Sequence, residues 1–294
     1  MATLNNLLAA TDLSAPARHA VERAAAVAAE IGANLSLVHV ASRAPLDQLR
    51  QLLSASGDDV ERELLDRLRQ ELTGLSESIH QRYGLASSLS VAVGDLLPSL
   101  LAEADGLPAD LLVLGARGAS FLRHILLGST AERLLSSARC PVLVVKQPPH
   151  EPYRRLLVPV DFSPIAARTL RLAAALVPSA SLTVMNAYDV PFEGQLRYAG
   201  VDDTRIAHYR GLAASQARNR LDQLVAESGV DRARLNTLVT HGDVSLRILE
   251  QEQESDCDLI VVGKHGEGMF EELLLGSTTK HILAESQSDV LVAV

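Results

Sequence analysis

The chain has 294 residues, 47% of them apolar and 21% charged, which is enough to build one large core or two ordinary ones. A net charge of −9 with no basic stripe excludes a general affinity for nucleic acid, whose backbone needs clustered lysine and arginine. No apolar run approaches the ~20 residues of a membrane-spanning helix, and Met1-Ala2-Thr3-Leu4-Asn5-Asn6 lacks the pattern of a signal peptide, so a cytoplasmic location without membrane contact is expected.

In chain order, Leu4 to Ala10 is a short apolar strand ending at Thr11-Asp12-Leu13-Ser14. The alanine-rich stretch from Pro16 to Ile31 reads as a helix stopped by Gly32. Leu35 to Val40 alternates as a second strand and precedes a long charged helix from about Asp58 to Tyr83. Ser88 to Val93 is the third strand, followed by Gly94-Asp95 and a leucine-rich helix to Ala104. Asp110 to Leu114 is the fourth strand, Ser129 to Ala138 a helix, and Val142 to Val145 the fifth strand.

The order then repeats. Arg155 to Ser163 matches the first strand and its Asp-x-Ser ending, His241-Gly242-Asp243 echoes Val93-Gly94-Asp95, and Asp289 to Val294 closes the second copy. The proline cluster Gln147-Pro148-Pro149-His150-Glu151-Pro152 separates the halves, giving domains 1–147 and 153–294 with a linker at 148–152. Strands joined by helices pair in parallel through right-handed crossovers. The expected fold class is therefore α/β, with two tandem open parallel five-stranded sheets, helices on both faces, Rossmann-like. Ligands of such sheets bind beyond the carboxyl ends of the strands, where the strand order reverses.

The most specific signal is itself doubled. Gly115-Ala116-Arg117-Gly118, nine residues and Gly128-Ser129-Thr130 recur 148 positions later as Gly263-Lys264-His265-Gly266, nine residues and Gly276-Ser277-Thr278. Each copy leaves a buried strand and enters a helix, and amide groups and the dipole at a helix start attract phosphate. Gly115 and Gly118, with Gly128 on re-entry, would permit positive φ and close approach of a ribose or phosphate to the backbone. The alternative is a set of turns and helix caps without a ligand. Asp12 and Asp161 read equally as ligand contacts or as capping residues before Pro16 and Pro164. Arg117, Arg123, Lys264 and His265 either neutralise phosphates or face solvent. Cys140 and Cys257 occupy non-equivalent positions and read as small core residues rather than metal ligands.

These residues resemble the universal stress protein family in its tandem form, whose fold is like that of adenine-nucleotide hydrolases. The likeness extends to Ala10-Thr11-Asp12-Leu13-Ser14, Leu37-Val38-His39-Val40 and Cys140-Pro141-Val142-Leu143-Val144-Val145. It implies ATP, with or without Mg2+, as the ligand. Val40 would meet adenine through its backbone, Asp12 and Gly115 would lie by the ribose, and Gly118, Gly128, Ser129 and Thr130 would hold phosphates. Asp161, Ala187, Gly263, Gly266, Gly276, Ser277 and Thr278 are the matching positions of the second half. It also implies an intramolecular pseudo-dimer joined through the fifth strands, with a homodimer as a further option and an unidentified protein partner.

Two departures stand out, Asn186-Ala187 in place of His-Val and Ser288-Asp289 in place of Cys-Pro. The segment Val190 to Gly200 is an added loop that covers a nucleotide or, on the expectation favoured by Phe192 and Tyr198, buries these aromatics against protein. The chain shows no Gly-x-Ser-x-Gly elbow, Walker loop or Gly-x-Gly-x-x-Gly turn after its first strand, so a stress-response role without dedicated catalysis is expected. The alternatives are a ligand-free assembly module, a slow ATPase using Asp12 or Asp161 to order a magnesium water, and an adenylating enzyme.

Overall fold

The computed structural model describes residues 4–53, 57–116, 129–264 and 275–294. The chain divides into a first compact unit that ends at Pro152 and a second comprising Tyr153–Val294. Among the described residues no helix is long and apolar enough to cross a membrane.

In the first unit the strands are β1 (Asn6–Ala10), β2 (Asn34–Ser42), β3 (Ser87–Gly94), β4 (Leu111–Gly115) and β5 (Val142–Val145). They lie in the order β3-β2-β1-β4-β5, and every pairing is parallel. The helices are α1 (Ala15–Ile31), α2 (Arg43–Leu53), α3 (Gly57–Tyr83), α4 (Leu96–Gly106) and α5 (Ser129–Ser137). Right-handed crossovers that run one way from β1 and the other way from β4 put α1 and α3 on one face and α4 and α5 on the other. The contacts of α1 with α3, and of α4 with α5, agree with that division.

Local chemistry explains α1. Ser14 caps it by accepting from Ala17 N–H at 3.4 Å, Pro16 sits in the first turn where no amide bond is lost, and Gly32 ends it at φ 71°. Its buried face is largely alanine, including Ala17, Ala20, Ala24, Ala25 and Ala28, so the helix backbone lies close on the sheet. The strands β1, β4 and β5 are buried along most of their length and need no polar alternation. A second helix, α2, occupies the stretch between β2 and the charged helix α3.

The second unit repeats the plan with β6 (Arg155–Pro159), β7 (Ser181–Tyr188), β8 (Leu235–His241), β9 (Leu259–Gly263) and β10 (Asp289–Ala293). Its order is β8-β7-β6-β9-β10, again all parallel. The helices are α6 (Ala166–Leu176), α7 (Glu193–Tyr198), α8 (Asp203–Ser228), α9 (Val244–Glu254) and α10 (Ser277–Glu285). One carboxylate in each unit ties the start of the fourth strand to the start of the first. Asp110 accepts from the N–H groups of Asn5 and Asn6 at 2.8 and 3.0 Å, and Asp258 from those of Arg154 and Arg155 at 2.7 and 2.8 Å.

The change from Cys-Pro to Ser288-Asp289 has a physical counterpart. Glu252 of α9 is buried, and its Oε1 accepts from Gln287 N–H at 2.9 Å, from Ser288 N–H at 2.6 Å and from the Ser288 hydroxyl. Asp289, also buried, accepts from the Tyr153 hydroxyl at 2.6 Å. In the first unit Pro141 at the equivalent place needs no acceptor for an amide and presents its carbonyl to Leu112 N–H at 3.0 Å.

Candidate functional site

A cavity of about 340 Å³ opens at the carboxyl edge of the second sheet, where the chain order reverses between β6 and β9. Val160 and Asp161 line it beyond β6, Met185 and Ala187 from β7, and Val262 and Gly263 from β9. Ile165, Ala166 and Thr169 close one wall from the start of α6, and Val244 and Ile248 another from α9. The N-terminus of α10 supplies Gly276, Ser277, Thr278 and Thr279. One end of the space is thus apolar and another is a helix start.

Gly276 is the N-cap of α10 at φ −58° and ψ 148°, and the first intrahelical bond is Lys280 N–H to Gly276 C=O at 2.9 Å. The amides of Ser277 and Thr278 precede that bond and belong to the donors a helix leaves for an anion. The Thr279 hydroxyl donates to Gly263 C=O at 2.8 Å and locks the helix start to the end of β9.

The tip of β6 is held by β7. Val160 N–H donates to Met185 C=O at 2.8 Å, and the Asn186 amide donates back to Val160 C=O at 2.8 Å. In the first unit Thr11 N–H donates to Val38 C=O at 2.9 Å, and His39 Nδ1 meets Thr11 C=O at 2.9 Å. Asn186 therefore performs the same backbone clamp as His39, which accounts for that departure. Because backbone direction alternates along a strand, Ala187 points its N–H and C=O the way Met185 does, past the end of β6 and toward the cavity. Val40 stands in the same relation to Val38 beyond β1.

The aspartates are neither helix N-caps nor free ends of a strand. Asp161 Oδ1 accepts from Ser163 N–H at 3.0 Å, across Phe162 at φ 62°. Asp12 Oδ1 accepts from Ser14 N–H at 3.0 Å, across Leu13 at φ 64°, while Ser14 itself caps α1. Each carboxylate stabilises a left-handed residue of a kind that normally resists this conformation. Asp161 lines the cavity, and Asp12 is exposed at the matching edge.

Of the residues expected at the site, Asp161, Ala187, Gly263, Gly276, Ser277 and Thr278 converge on one space. Arg117, Gly118, Arg123, Gly128, His265 and Gly266 lie outside the described residues, and Ser129 and Thr130 are placed only as the first turn of α5. One expectation is corrected at the glycines: Gly115 does not take positive φ, and it and Gly263 are the last residues of β4 and β9, in register with Val145 and Ala293. Lys264 is buried, with its amide bonded to Ala293 C=O at 2.7 Å and its carbonyl to Gly276 N–H at 3.0 Å.

A further correction concerns the segment after β7, which is no addition: residues 189–202 between β7 and α8 match in length residues 43–56 between β2 and α3. It contains α7, and Phe192 and Tyr198 are 72% and 96% exposed rather than buried. What anchors the segment is charge: Glu193 receives Arg210 Nε on Oε2 at 3.0 Å and a second guanidinium N–H on Oε1. Hydrogen bonding from Arg210 holds the Glu193 carboxyl below the usual carboxylate range. Composition could not reveal this, because Arg210 lies 17 residues away on α8.

The two thiols take no part in the site. Burial pushes Cys140 up to about 11 and Cys257 up to about 12, and Cys257 Sγ donates to Leu259 C=O at 3.2 Å. At neutral pH both are protonated and therefore poor nucleophiles. Native protein treated with a disulfide reagent at pH 8 is expected to react far more slowly than urea-unfolded protein, with both thiols released on unfolding. Rapid native labelling of either cysteine would contradict this environment.

Known proteins share this plan. The family model described as the Universal stress protein family matches residues 3–146 and again 152–293. A universal stress protein of Methanocaldococcus jannaschii is 32% identical over 142 residues, 48% of this chain and 81% of its own length. A universal stress protein of Mycolicibacterium smegmatis is 25% identical over 301 residues, 99% of this chain and 97% of its own. Among solved structures, a universal stress protein from Archaeoglobus fulgidus has the same fold with a TM-score of 0.67 at 20% identity, covering 99% of this chain and 98% of that one. With both halves matched over nearly their full length, the chain belongs to the universal stress protein family, as two tandem domains.

Proposed function

We propose that the chain binds ATP, accompanied by Mg2+, at the cavity of the second domain and at the equivalent edge of the first. It would act in the cytoplasm in a stress response, through nucleotide occupancy rather than through a dedicated catalytic turnover. The supporting observation is the convergence at one cavity of the Ala187 backbone, the Asp161 carboxylate and the start of α10. The apolar walls suit a purine, the backbone of Ala187 offers it a donor and an acceptor, the carboxylate suits ribose hydroxyls, and the helix start suits phosphate. A helix dipole alone contributes only about 0.3–1 kcal/mol to an exposed charge, so the amides of the helix start must bond the phosphates directly.

Purified protein should release adenine nucleotide on denaturation, or gain thermal stability when millimolar ATP and magnesium are added. At a ligand concentration 100 times Kd the gain is about 2.7 kcal/mol, a shift of several degrees. Ala187→Leu, which fills the apolar end of the cavity, should abolish the second-domain contribution and leave unliganded stability close to wild type. Finding neither released nucleotide nor a thermal shift would refute the reading.

A further inference from the structure

The segment after β7 gathers three metal-ligating side chains that the nucleotide reading does not use. Asp189 follows the strand directly, Glu193 opens α7, and His241 ends β8. One donor atom from each lies within 4.8 Å of the other two. His241 Nε2 stands 3.1 Å from Glu193 Oε2 and 3.7 Å from Asp189 Oδ1. A tetrahedral zinc ion with nitrogen and oxygen ligands at about 2.0–2.2 Å sets neighbouring donors about 3.3–3.6 Å apart. Both spacings lie close to an edge of that tetrahedron.

Hydrogen bonding does not explain the approach. His241 Nε2 is buried and, among the described residues, makes no hydrogen bond of acceptable angle even to Glu193. The groups that would orient the ligands are nevertheless in place. Arg210 grips both oxygens of Glu193, and Arg197 reaches Oε1 at 3.4 Å. The Tyr188 ring lies tilted against the His241 imidazole with centroids 5.4 Å apart. Arg247 Nε donates to the His241 carbonyl at 2.9 Å, and Val190 N–H donates to Asp189 Oδ1 at 2.8 Å.

We propose that Asp189, Glu193 and His241 form a binding site for a divalent cation of the zinc class, with water completing the coordination. Two carboxylates and one neutral imidazole are the hard and borderline donors that suit such an ion. The Arg210 guanidinium opposes the cation by repulsion while fixing the carboxylate by hydrogen bonds, so the site binds reversibly rather than as a permanent structural centre. Its position gives it a consequence. Asp189 is two residues beyond Ala187 and His241 three residues before Val244, and both of those residues line the cavity. A bound cation would therefore brace two sides of the cavity rim through very short lengths of backbone.

The test uses the full chain, freed of metal by a chelator and titrated with zinc chloride by calorimetry and with cobalt chloride by visible absorption. The expected result is one zinc ion per chain at this site and the intense cobalt bands of tetrahedral geometry. Asp189→Asn and His241→Ala should each weaken zinc by at least about tenfold. The Asp189 side chain is 81% exposed, so Asp189→Asn tests the ligand without threatening the fold. His208→Ala, an exposed histidine on α8, should leave binding unchanged. Absence of saturable binding, or binding that both ligand variants leave intact, would overturn the proposal.

Discussion

Replacing Glu252 by leucine is expected to destabilise the protein by about 3–4 kcal/mol, because the buried Ser288 amide and the part-buried Gln287 amide lose a charged acceptor. The carboxylate lies inside the fold, and three donors converge on a single oxygen at the entry to β10. Leucine would fill the volume but accept nothing, taking the carboxylate away from Gln287 N–H and Ser288 N–H. The Ser288 hydroxyl would suffer less, since Cys257 C=O lies 2.8 Å from it as an alternative. Glu252→Gln keeps an acceptor at the same place without the charge, and should cost only about 1–2 kcal/mol. Urea unfolding of the full chain checks the ordering; equal losses in both variants would show that volume, not hydrogen bonding, governs the site.

The second large effect is expected at Arg234, between α8 and β8. Its guanidinium donates to the carbonyls of Ala174, Val177 and Ala180, with the shortest bond 2.6 Å, from Nη2 to Val177. These carbonyls belong to the end of α6 and the turn into β7, where the helix dipole is negative. Arg234→Ala should remove about 2–3 kcal/mol, roughly the value of one to two charge-assisted bonds after relaxation. Arg234→Lys should recover only part of that loss, since an ammonium group cannot span three carbonyls with a planar fork. Full rescue by lysine, seen in the same unfolding measurement, would mean that charge alone suffices.

The sheet was legible in the sequence because its centre demands it. Leu111 to Leu114 and Leu259 to Val262 are continuous apolar runs of a kind that only a strand covered on both faces tolerates, and each is followed by the same glycine spacing. The helix α2 escaped because Pro45 lies near its start and it follows β2 with no intervening cap or turn signal. The helix α7 escaped because six residues carry too little periodicity, and its entry residue is Phe192 at φ 62° rather than glycine. Asp12 and Asp161 were readable as capping or ligand residues, but not as the acceptors that hold Leu13 and Phe162 in a left-handed conformation.

The candidate site was readable wherever position along a strand decided it. Ala187, Gly263 and Gly276 reach the cavity because strand ends and a helix start meet there in every sheet of this topology. Lys264 was readable as a cation near the helix start but not as a buried one: it sits one residue past β9, where its backbone still bonds the neighbouring strand's end. Glu252 offered one signal that could have been used. It shares a helix face with buried Ile248, four residues earlier, and a carboxylate on an apolar face needs a partner.

The Ser288 to Glu252 contact also marks where the two tandem domains differ. A Cys-Pro pair in place of Ser288-Asp289 would keep both backbone donors to Glu252 and lose the Ser288 hydroxyl, while Ser288 without Glu252 would lose the buried acceptor of its amide. The pair works as a unit, so exchanging short segments between the halves should cost stability wherever a segment carries one member and not the other. The duplicated domains are interchangeable in outline and have become individuals at their joints.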